Sequence, residues 1–255
     1  MSRFSVEDRV AVITGGGTGI GRGAALVLAQ HGADVVLAGR RGGPLESTAE
    51  EIRSMGRSAL AVPTDVTSAD ACQKLVDVTL EEFGRLDILV NNAGGAQTKP
   101  IRKWSQDEFD EVLALNLGSV WHLSRAASVP MLEQGKGAIV NISSGASLLA
   151  MPLAAPYGAA KAAVNNLTGS MAAAWTRKGV RVNAIACGAI RAATLMDEAE
   201  KLGLDEDTLA LSNGVGRLGE PEEIGYGVLF FASDAASFCS GQTLYMHGAP
   251  GPAGV

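Results

Sequence analysis

The sequence is poor in cysteine, in positive charge and in long hydrophobic runs. Its three cysteines, Cys72, Cys187 and Cys239, are widely spaced and form no Cys-x-x-Cys pair, which argues against a disulfide framework and a thiolate metal site. Its 21 lysines and arginines are outnumbered by 27 acidic residues, so no excess of positive charge favours a nucleic-acid partner. The apolar run near the N-terminus is too short for a signal segment or a membrane span. We therefore expect a cytoplasmic protein that binds no metal, no nucleic acid and no membrane.

Short runs rich in β-branched residues recur along the chain, and a longer amphipathic or alanine-rich stretch follows most of them. Nearly continuous apolar runs are typical of strands that are covered on both faces. Parallel strands need crossover connections, which helices provide. The pattern predicts one α/β domain over residues 1–255, built on a doubly wound parallel sheet with helices on both faces. The predicted strands span residues 10–14, 34–38, 58–62, 86–91, 137–142, 180–186 and 243–246.

The segment TGGGTGIG at residues 14–21 stands between the first predicted strand and the helix after it. At such a position glycines allow the backbone to approach a pyrophosphate at the helix N-terminus. The spacing G-x-x-x-G-x-G differs from the commoner G-x-G-x-x-G, and glycines also mark ordinary tight turns. The residues of this segment that we expect to bind a cofactor are Gly15, Thr18, Gly19, Ile20 and Gly21.

The next strand ends without the acidic residue that usually binds the ribose hydroxyls of NAD. Gly39, Arg40 and Arg41 stand there instead. A small residue followed by two guanidinium groups leaves room for a 2′-phosphate and offers it planar donors, so the sequence favours NADP(H) over NAD(H). The alternative is a solvated, charged turn that opens the next helix.

Tyr157 and Lys161 lie four residues apart in an alanine-rich stretch that we expect to be helical, so both side chains project from one face. A phenol keeps its proton until about pH 10, and a nearby ammonium group favours the phenolate. The pair therefore suits acid–base catalysis at neutral pH. The alternative is a surface tyrosine and lysine that merely share a helix face.

In combination and in this order, the sequence motifs resemble the short-chain dehydrogenase/reductase family over essentially the whole chain. The motifs are TGGGTGIG at 14–21, Asn91-Asn92-Ala93-Gly94, Asn116, Ser143-Ser144 and the Tyr157/Lys161 pair. The resemblance implies a Rossmann-type fold and a nicotinamide cofactor that serves the interconversion of a carbonyl and a secondary alcohol. It also implies a cofactor half over about residues 1–145, a catalytic and substrate half over about 146–255, and a homo-oligomer, either a tetramer or a dimer.

The resemblance also assigns catalytic roles. Tyr157 is expected to be the general acid in reduction and the base in oxidation, while Lys161 lowers its pKa and holds the nicotinamide ribose. Ser144, thirteen residues before Tyr157, is expected to hydrogen-bond the substrate oxygen in preference to Ser143. Asn116 is expected to anchor a water that links Lys161 to solvent, although an asparagine inside a helix can also hold its side chain exposed.

Further cofactor contacts follow from the same resemblance. Asn91, Ala93 and Gly94 match the segment that lies along the adenosine half. Asp65 matches the residue that binds the adenine amino group, although an aspartate here can equally cap the helix that starts near Ser68. The full set of contacts outside the glycine-rich segment and the catalytic pair is Arg40, Arg41, Asp65, Val66, Asn92, Ala93, Gly94, Gly188 and Ile190.

The chain departs from the family pattern after the sixth strand and near its end. Cys187 stands where the family usually has proline, and Ala192 where it usually has threonine, so a side-chain contact is lost unless Thr194 supplies it. Ile190 still matches the residue whose backbone holds the nicotinamide carboxamide. We expect Cys187 to act as a small buried hydrophobe. His247 replaces a usual aspartate and has no catalytic partner nearby.

The segment 192–216 mixes leucines with acids and resembles the substrate lid of the family. A lid with apolar contacts suits a hydrophobic or acyl-type small molecule, because closure excludes water from the reaction. Leu148, Met151 and Leu153 are further candidates for the pocket wall, and an ordinary amphipathic surface helix is the alternative for the lid. Two other functions stay open on this scaffold: an enoyl-thioester reductase and a nucleotide-sensing protein without turnover.

Overall fold

A computed structural model describes residues 2–249 of the chain. It contains one sheet of seven parallel strands in the order β3-β2-β1-β4-β5-β6-β7. This confirms the predicted fold, and no predicted strand end is wrong by more than two residues. The strands are β1 Val10–Thr14, β2 Asp34–Gly39, β3 Ala59–Pro63, β4 Ile88–Asn91, β5 Gly137–Ser144, β6 Val180–Cys187 and β7 Thr243–Met246.

Helices connect these strands, as parallel pairing requires. None of the helices within residues 2–249 is both long enough and apolar enough to cross a bilayer. A π-helical turn, Ala114–Gly118, joins the fourth helix to the fifth. The helices are α1 Gly19–Gln30, α2 Gly42–Ser54, α3 Ala69–Phe83, α4 Gln106–Leu113, α5 Ser119–Gln134, α6 Ala155–Trp175, α7 Ala193–Leu202, α8 Glu206–Ala210 and α9 Pro221–Ala232.

The hydrophobic core has two layers, one on each face of the sheet. Neighbouring residues of a strand face opposite layers because side chains alternate along a strand. Ile13 packs in the layer formed with α1, α2 and α9, whereas Val12 packs in the layer formed with α3, α5 and α6. Both side chains are fully buried. This burial on two faces explains why the strand sequences are apolar almost throughout.

The strand order reverses direction between β1 and β4, which makes this pair the topological switch point of the sheet. In open parallel sheets a ligand binds in the crevice at the carboxyl ends of the strands next to that point. The segments that leave β1, β4, β5 and β6 at those ends contain most of the residues that the sequence analysis singled out. The fold therefore brings distant motifs to one edge of the sheet.

Candidate active site

The glycine-rich segment turns sharply between β1 and α1. Gly15 and Gly19 have φ angles of 65° and 52°, a backbone conformation that glycine adopts without strain. A Cβ atom at Gly21 would lie 2.2 Å from the carbonyl oxygen of Gly15, so the turn and the helix approach too closely for a side chain. Thr18 begins α1 without a side-chain cap, and the first turn contains no acid. The unpaired amides of that turn therefore suit a bound phosphate group.

Thr14 and Asn92 join the glycine-rich segment to the end of β4. Thr14 Oγ1 accepts hydrogen bonds of 2.9 Å from the backbone N–H groups of Asn92 and Ala93. Asn92 Nδ2 donates to the carbonyl oxygen of Thr14 at 2.8 Å. The sequence analysis did not single out Thr14 as a site residue. Its place as the last residue of a strand before the glycines is the signal that could have found it.

Asn91 faces the core and lies in a buried polar network. Its Nδ2 donates to Ser124 Oγ at 2.9 Å and to Asn141 Oδ1 at 2.8 Å, and Asn141 Nδ2 donates to Thr168 Oγ1 at 2.9 Å. All four residues are buried. This network ties β4 and β5 to α5 and α6. The Asn91 side chain is committed to these bonds, so Asn92, Ala93 and Gly94 are the better candidates for cofactor contacts.

The ends of β2 and β3 form the part of the crevice assigned to the adenosine half. Arg40 and Arg41 are exposed there, and neither forms an ion pair with a carboxylate of residues 2–249. Asp65 Oδ1 accepts hydrogen bonds from the hydroxyl and the backbone N–H of Thr67. These bonds lower the pKa of Asp65, with a smaller contribution from the charge of Arg40. Arg40 and Asp65 therefore belong to the same part of the crevice.

The alternative role of Asp65 as a helix cap is wrong. Ser68 caps α3, because its Oγ accepts a hydrogen bond of 3.2 Å from the backbone N–H of Ala71. Asp65 lies three residues before that cap and bonds to Thr67 instead. Val66, next to it, is buried in the core.

Asn116 lies in the π-helical turn and is 1 % exposed. Its Nδ2 donates to the carbonyl oxygens of Val112 and Gly95 at 3.0 Å, and its Oδ1 accepts from the N–H of Gly95 at 3.1 Å. The alternative of an exposed helical asparagine is therefore wrong. A Cβ atom at Gly94 would lie 2.7 Å from Asn116 Oδ1 and 3.4 Å from Lys161 Nζ. Asn116, Gly94 and Lys161 thus meet at one point.

Tyr157 and Lys161 share one face of α6, as predicted, and Lys161 Nζ lies 5.6 Å from the centre of the Tyr157 ring. Lys161 is buried, and its Nζ donates to the carbonyl oxygen of Ile142 at 2.8 Å. Burial lowers the pKa of Lys161 to about 8. Burial also raises the pKa of Tyr157 to about 12, although an interaction with the Ser144 hydroxyl opposes this rise. The pKa shift of Tyr157 is therefore opposite to the lowering that the sequence analysis expected, because desolvation dominates.

The two serines at the end of β5 point to different places. Ser143 is buried, and its Oγ donates to the carbonyl oxygen of Lys161 at 3.3 Å. Ser144 is partly exposed, interacts with the Tyr157 phenol and accepts a hydrogen bond of 3.2 Å from the N–H of Ala146. Ser144 is therefore the serine available to a substrate.

The segment after β6 runs beside this group of residues. Cys187 is buried, and burial raises the pKa of its thiol to about 12, so the thiol keeps its proton. Gly219 O accepts from the N–H of Arg191 at 2.8 Å, and Gly219 N–H donates to Ala189 O at 3.0 Å. The intervening N–H and C=O of Ile190 form no hydrogen bond with another part of residues 2–249. These free groups are suited to a carboxamide.

The segment 192–216 forms two short helices, α7 and α8, over this crevice. Ala192 directly precedes α7, and a Cβ atom at Gly19 would lie 3.1 Å from the Ala192 Cβ, so this segment starts against the glycine-rich segment. Thr194 is exposed in the first turn of α7. Thr98 Oγ1 donates to Glu198 Oε2 at 2.9 Å and ties α7 to the segment after β4.

The structure thus brings the four catalytic candidates and most cofactor candidates to one crevice. His31, His122 and His247 take no part in a metal-binding group, since residues 2–249 contain no cluster of three His, Cys, Asp or Glu side chains that could hold an ion. The sequence analysis missed Asn213, a buried residue that bonds to Ala189. No spacing rule points to it, because it lies 24 residues from its partner.

Comparison with known proteins gives a consistent result. A family model described as short chain dehydrogenase matches residues 9–203. The chain is 38% identical to the gluconate 5-dehydrogenase of Gluconobacter oxydans over 248 residues, which cover 96% of this chain and 95% of that protein.

Two solved structures share the fold. A 7α-hydroxysteroid dehydrogenase complexed with NADH and 7-oxoglycochenodeoxycholic acid has a TM-score of 0.90 and 34% identity, covering 97% of this chain and 98% of the other. A protein from Beutenbergia cavernae, proposed to be an NAD(P)-dependent gluconate 5-dehydrogenase and containing NADP at low occupancy, has a TM-score of 0.88 and 38% identity with the same coverage. The sequence motifs, the sheet and these matches agree: the chain belongs to the short-chain dehydrogenase/reductase family and is an NAD(P)-dependent oxidoreductase.

Proposed function

We propose that the protein interconverts a carbonyl group and a secondary alcohol, with Tyr157 as the general acid and base. One observation carries this proposal. Tyr157, Ser144 and Lys161 converge at the carboxyl end of β5, beside the glycine-rich segment that suits a dinucleotide. Reduction of a carbonyl by a dinucleotide requires a group that binds the carbonyl oxygen, a proton donor and a site for the phosphates. Ser144, Tyr157 and the glycine-rich segment can supply these at one crevice.

When it is bound, the nicotinamide cofactor supplies or accepts the hydride. The protein residues move the proton and hold the substrate. The Ser144 hydroxyl interacts with the Tyr157 phenol and accepts a bond from Ala146, and its O–H would turn to donate to the substrate oxygen when a substrate is bound. Tyr157 keeps its proton at neutral pH and delivers it to the same oxygen during reduction. Lys161 and Asn116 come together at Gly94, where Lys161 can return that proton through a water held at Asn116.

We further propose that NADP(H) is favoured over NAD(H). Arg40 and Arg41 are exposed at the end of β2 and unpaired within residues 2–249, so their charge is available to a 2′-phosphate. The two related structures contain NADH and NADP respectively, so both cofactors occur among similar proteins. The charge at Arg40 and Arg41 is what supports the NADP(H) preference for this chain.

The substrate is proposed to be hydrophobic or an acyl-type molecule. Leu148 and Leu149, between Ser144 and Tyr157, are 69% and 65% exposed. Met151 and Leu153 are also exposed, and exposed apolar side chains beside a site indicate a binding surface. The steroid ligand of one related structure is of this kind, whereas gluconate is a polar substrate.

The charges near the lid also disfavour a phosphorylated or otherwise anionic substrate. Arg191 is paired with Glu206 and Glu220, and Lys201 is paired with Glu198. Lys201 is the one cation of the segment 192–216 and Arg191 directly precedes that segment, and neighbouring carboxylates neutralise both. These two cations therefore offer no free charge to an anionic group, and an acyl thioester would bind through its acyl end.

We also propose a domain organisation, an oligomeric state and a cellular location for the whole chain. They are a single domain with a cofactor half over residues 1–145 and a catalytic half over 146–255, a homo-oligomeric state and a cytoplasmic location. The sheet runs through both halves, because β1–β5 belong to the first half and β6 and β7 to the second.

Titration with NADPH and NADH, followed by a panel of ketones, β-ketoacyl thioesters and enoyl thioesters, tests the function. We expect NADPH to bind more tightly and ketones or ketoacyl thioesters to be turned over. Turnover of enoyl thioesters alone would indicate the enoyl reductase, and tight binding with no turnover on any member would favour the sensing protein.

Two variants test the cofactor preference. Because each guanidinium can form charge-assisted bonds to the 2′-phosphate, Arg40→Ala and Arg41→Ala should each weaken NADPH binding by about ten- to a hundredfold, with NADH binding little changed. Arg125→Ala, an exposed arginine on α5, is the matched control. Equal effects on the two dinucleotides would contradict the assignment.

A further inference from the structure

Asn213 lies just after α8 and is 4% exposed. Its side chain bonds to both backbone groups of Ala189: Oδ1 accepts from the N–H at 3.1 Å, and Nδ2 donates to the C=O at 2.9 Å. Nδ2 also donates to the carbonyl oxygen of Arg217 at 2.8 Å. Three of the four hydrogen bonds that an asparagine side chain can form thus hold two loop segments together.

The segment held by Asn213 is the one that passes the crevice. The carbonyl oxygen of Ala189 accepts hydrogen bonds from Asn213 Nδ2 and from the N–H of Gly219, and the N–H of Ala189 donates to Asn213 Oδ1. The next residue, Ile190, is buried, and its two backbone polar groups are the ones left free within the described chain. Their orientation therefore depends on how firmly Ala189 is held.

Gly188 shows how closely Asn213 approaches the segment. A Cβ atom at Gly188 would lie 2.6 Å from Asn213 Oδ1, so the amide occupies the space of a side chain. The residues from Cys187 to Ile190 include no proline, whose ring would restrict the backbone. Without the proline ring, hydrogen bonds are the means by which this chain can restrict the segment.

We propose that Asn213 is a positioning residue that holds the Gly188–Ile190 segment ready for the carboxamide of the nicotinamide ring. The inference rests on the proposed function, and it concerns a residue outside the motifs that define the reaction. Because Asn213 follows the lid helices, the same bonds also tie the end of the lid to the segment that would face the nicotinamide.

The test separates the nicotinamide end of the ligand from its adenosine end. Affinities are measured for NADPH and for 2′-phospho-ADP-ribose, which lacks only the nicotinamide ring, and in parallel for NADH and ADP-ribose. Asn213→Ala should weaken the dinucleotides at least tenfold and change the two ribose ligands less than twofold. A general structural role would weaken both classes alike, so this split is the decisive readout.

Asn213→Asp is the second variant, because it keeps the size of the side chain and the acceptor for Ala189 N–H but loses both donor bonds. Asn213→Asp should also weaken the dinucleotides and leave the two ribose ligands nearly unchanged. It serves as the test if Asn213→Ala does not fold. Asn166→Ala, an exposed asparagine on α6, should leave all four affinities unchanged.

Equal losses for dinucleotides and ribose ligands, or no loss for either, would overturn the role of Asn213. Failure of the wild-type protein to bind either dinucleotide would instead overturn the proposed function, and the inference with it.

Discussion

Tyr157 and Lys161 are both shifted toward their uncharged forms, because burial penalises the phenolate and the ammonium alike. The protonated phenol is the form that donates a proton to a reduced carbonyl. Use of the same phenol as a base requires additional positive charge beside it, which a bound ligand can provide. These shifts therefore agree with the proposed role of Tyr157 as the general acid in reduction.

Lys161→Met should change how stability depends on pH. The folded-state pKa of Lys161 is about 8 and the ordinary value is 10.5, so between these values only the unfolded chain holds the proton. Wild-type stability should then rise with pH relative to the variant, by up to about 1.4 kcal/mol per pH unit. Urea unfolding at pH 7, 8 and 9.5 measures the difference.

Lys178→Met, at an exposed lysine, is the control and should run parallel to the wild type at every pH. If the free energies of unfolding of the wild type and of Lys161→Met changed with pH in the same way, Lys161 would have an ordinary pKa in the folded protein.

Sequence motifs identified the candidate catalytic side chains but not their environments. The four-residue spacing predicted that Tyr157 and Lys161 share one helix face. The number of residues between Ser144 and Tyr157 favoured Ser144 over Ser143. The pKa shift of Tyr157 could not be predicted, since it depends on burial by segments that are distant in sequence. The hydrogen bonds between Asn213 and Ala189 could not be predicted for the same reason, since the two residues are distant in sequence.

The turn between β1 and α1 has a geometry that limits substitution at its glycines. Gly21→Ala should destabilise the fold by about 1–3 kcal/mol and reduce dinucleotide binding, because its Cβ would lie 2.2 Å from Gly15 O and 2.5 Å from Asn92 Nδ2. Gly43→Ala, in α2 with no atom within 4 Å of the new Cβ, should be neutral or stabilising by up to about 1 kcal/mol. Urea unfolding and cofactor titration compare the two variants. Equal changes in stability and in cofactor binding for the two variants would contradict the close approach of Gly21 to Gly15.

At the scale of elements, the strands were predictable and the irregular pieces were not. β1 is buried throughout and carries a continuous apolar run, and it was predicted with its observed bounds. The bounds of β7 were also predicted, although this edge strand is only partly buried. The π-helical turn around Asn116 was not predicted, because Leu115-Asn116-Leu117 fits an ordinary helix equally well. A register change inside a helix is set by tertiary contacts, here the bonds to Gly95.

At the scale of the whole molecule, strand β7 forms one edge of the sheet and leaves apolar groups uncovered. Leu244 on this strand is 39% exposed, and the Phe238 ring just before it is fully exposed. An exposed strand edge with apolar side chains favours pairing with a second chain. Light scattering coupled to gel filtration should therefore give a mass that is a multiple of the single chain.

In the same experiment, Phe238→Ser should shift the mass toward a smaller assembly. Met55→Ser, at an exposed residue between α2 and β3 near the other edge of the sheet, should not. A wild-type mass equal to one chain would contradict the proposed homo-oligomer.

The most direct test of the proposed reaction follows an isotope from cofactor to product. NADPH carrying two deuterium atoms at the nicotinamide C4 is incubated with the carbonyl panel, and products are analysed by mass and by NMR. We predict one deuterium on the carbinol carbon of the product, and a rate that falls by about 10²–10⁴-fold in Tyr157→Phe while the Kd for NADPH stays within a few-fold of the wild-type value. An unlabelled product, or a Tyr157→Phe variant with the wild-type rate, would contradict the account.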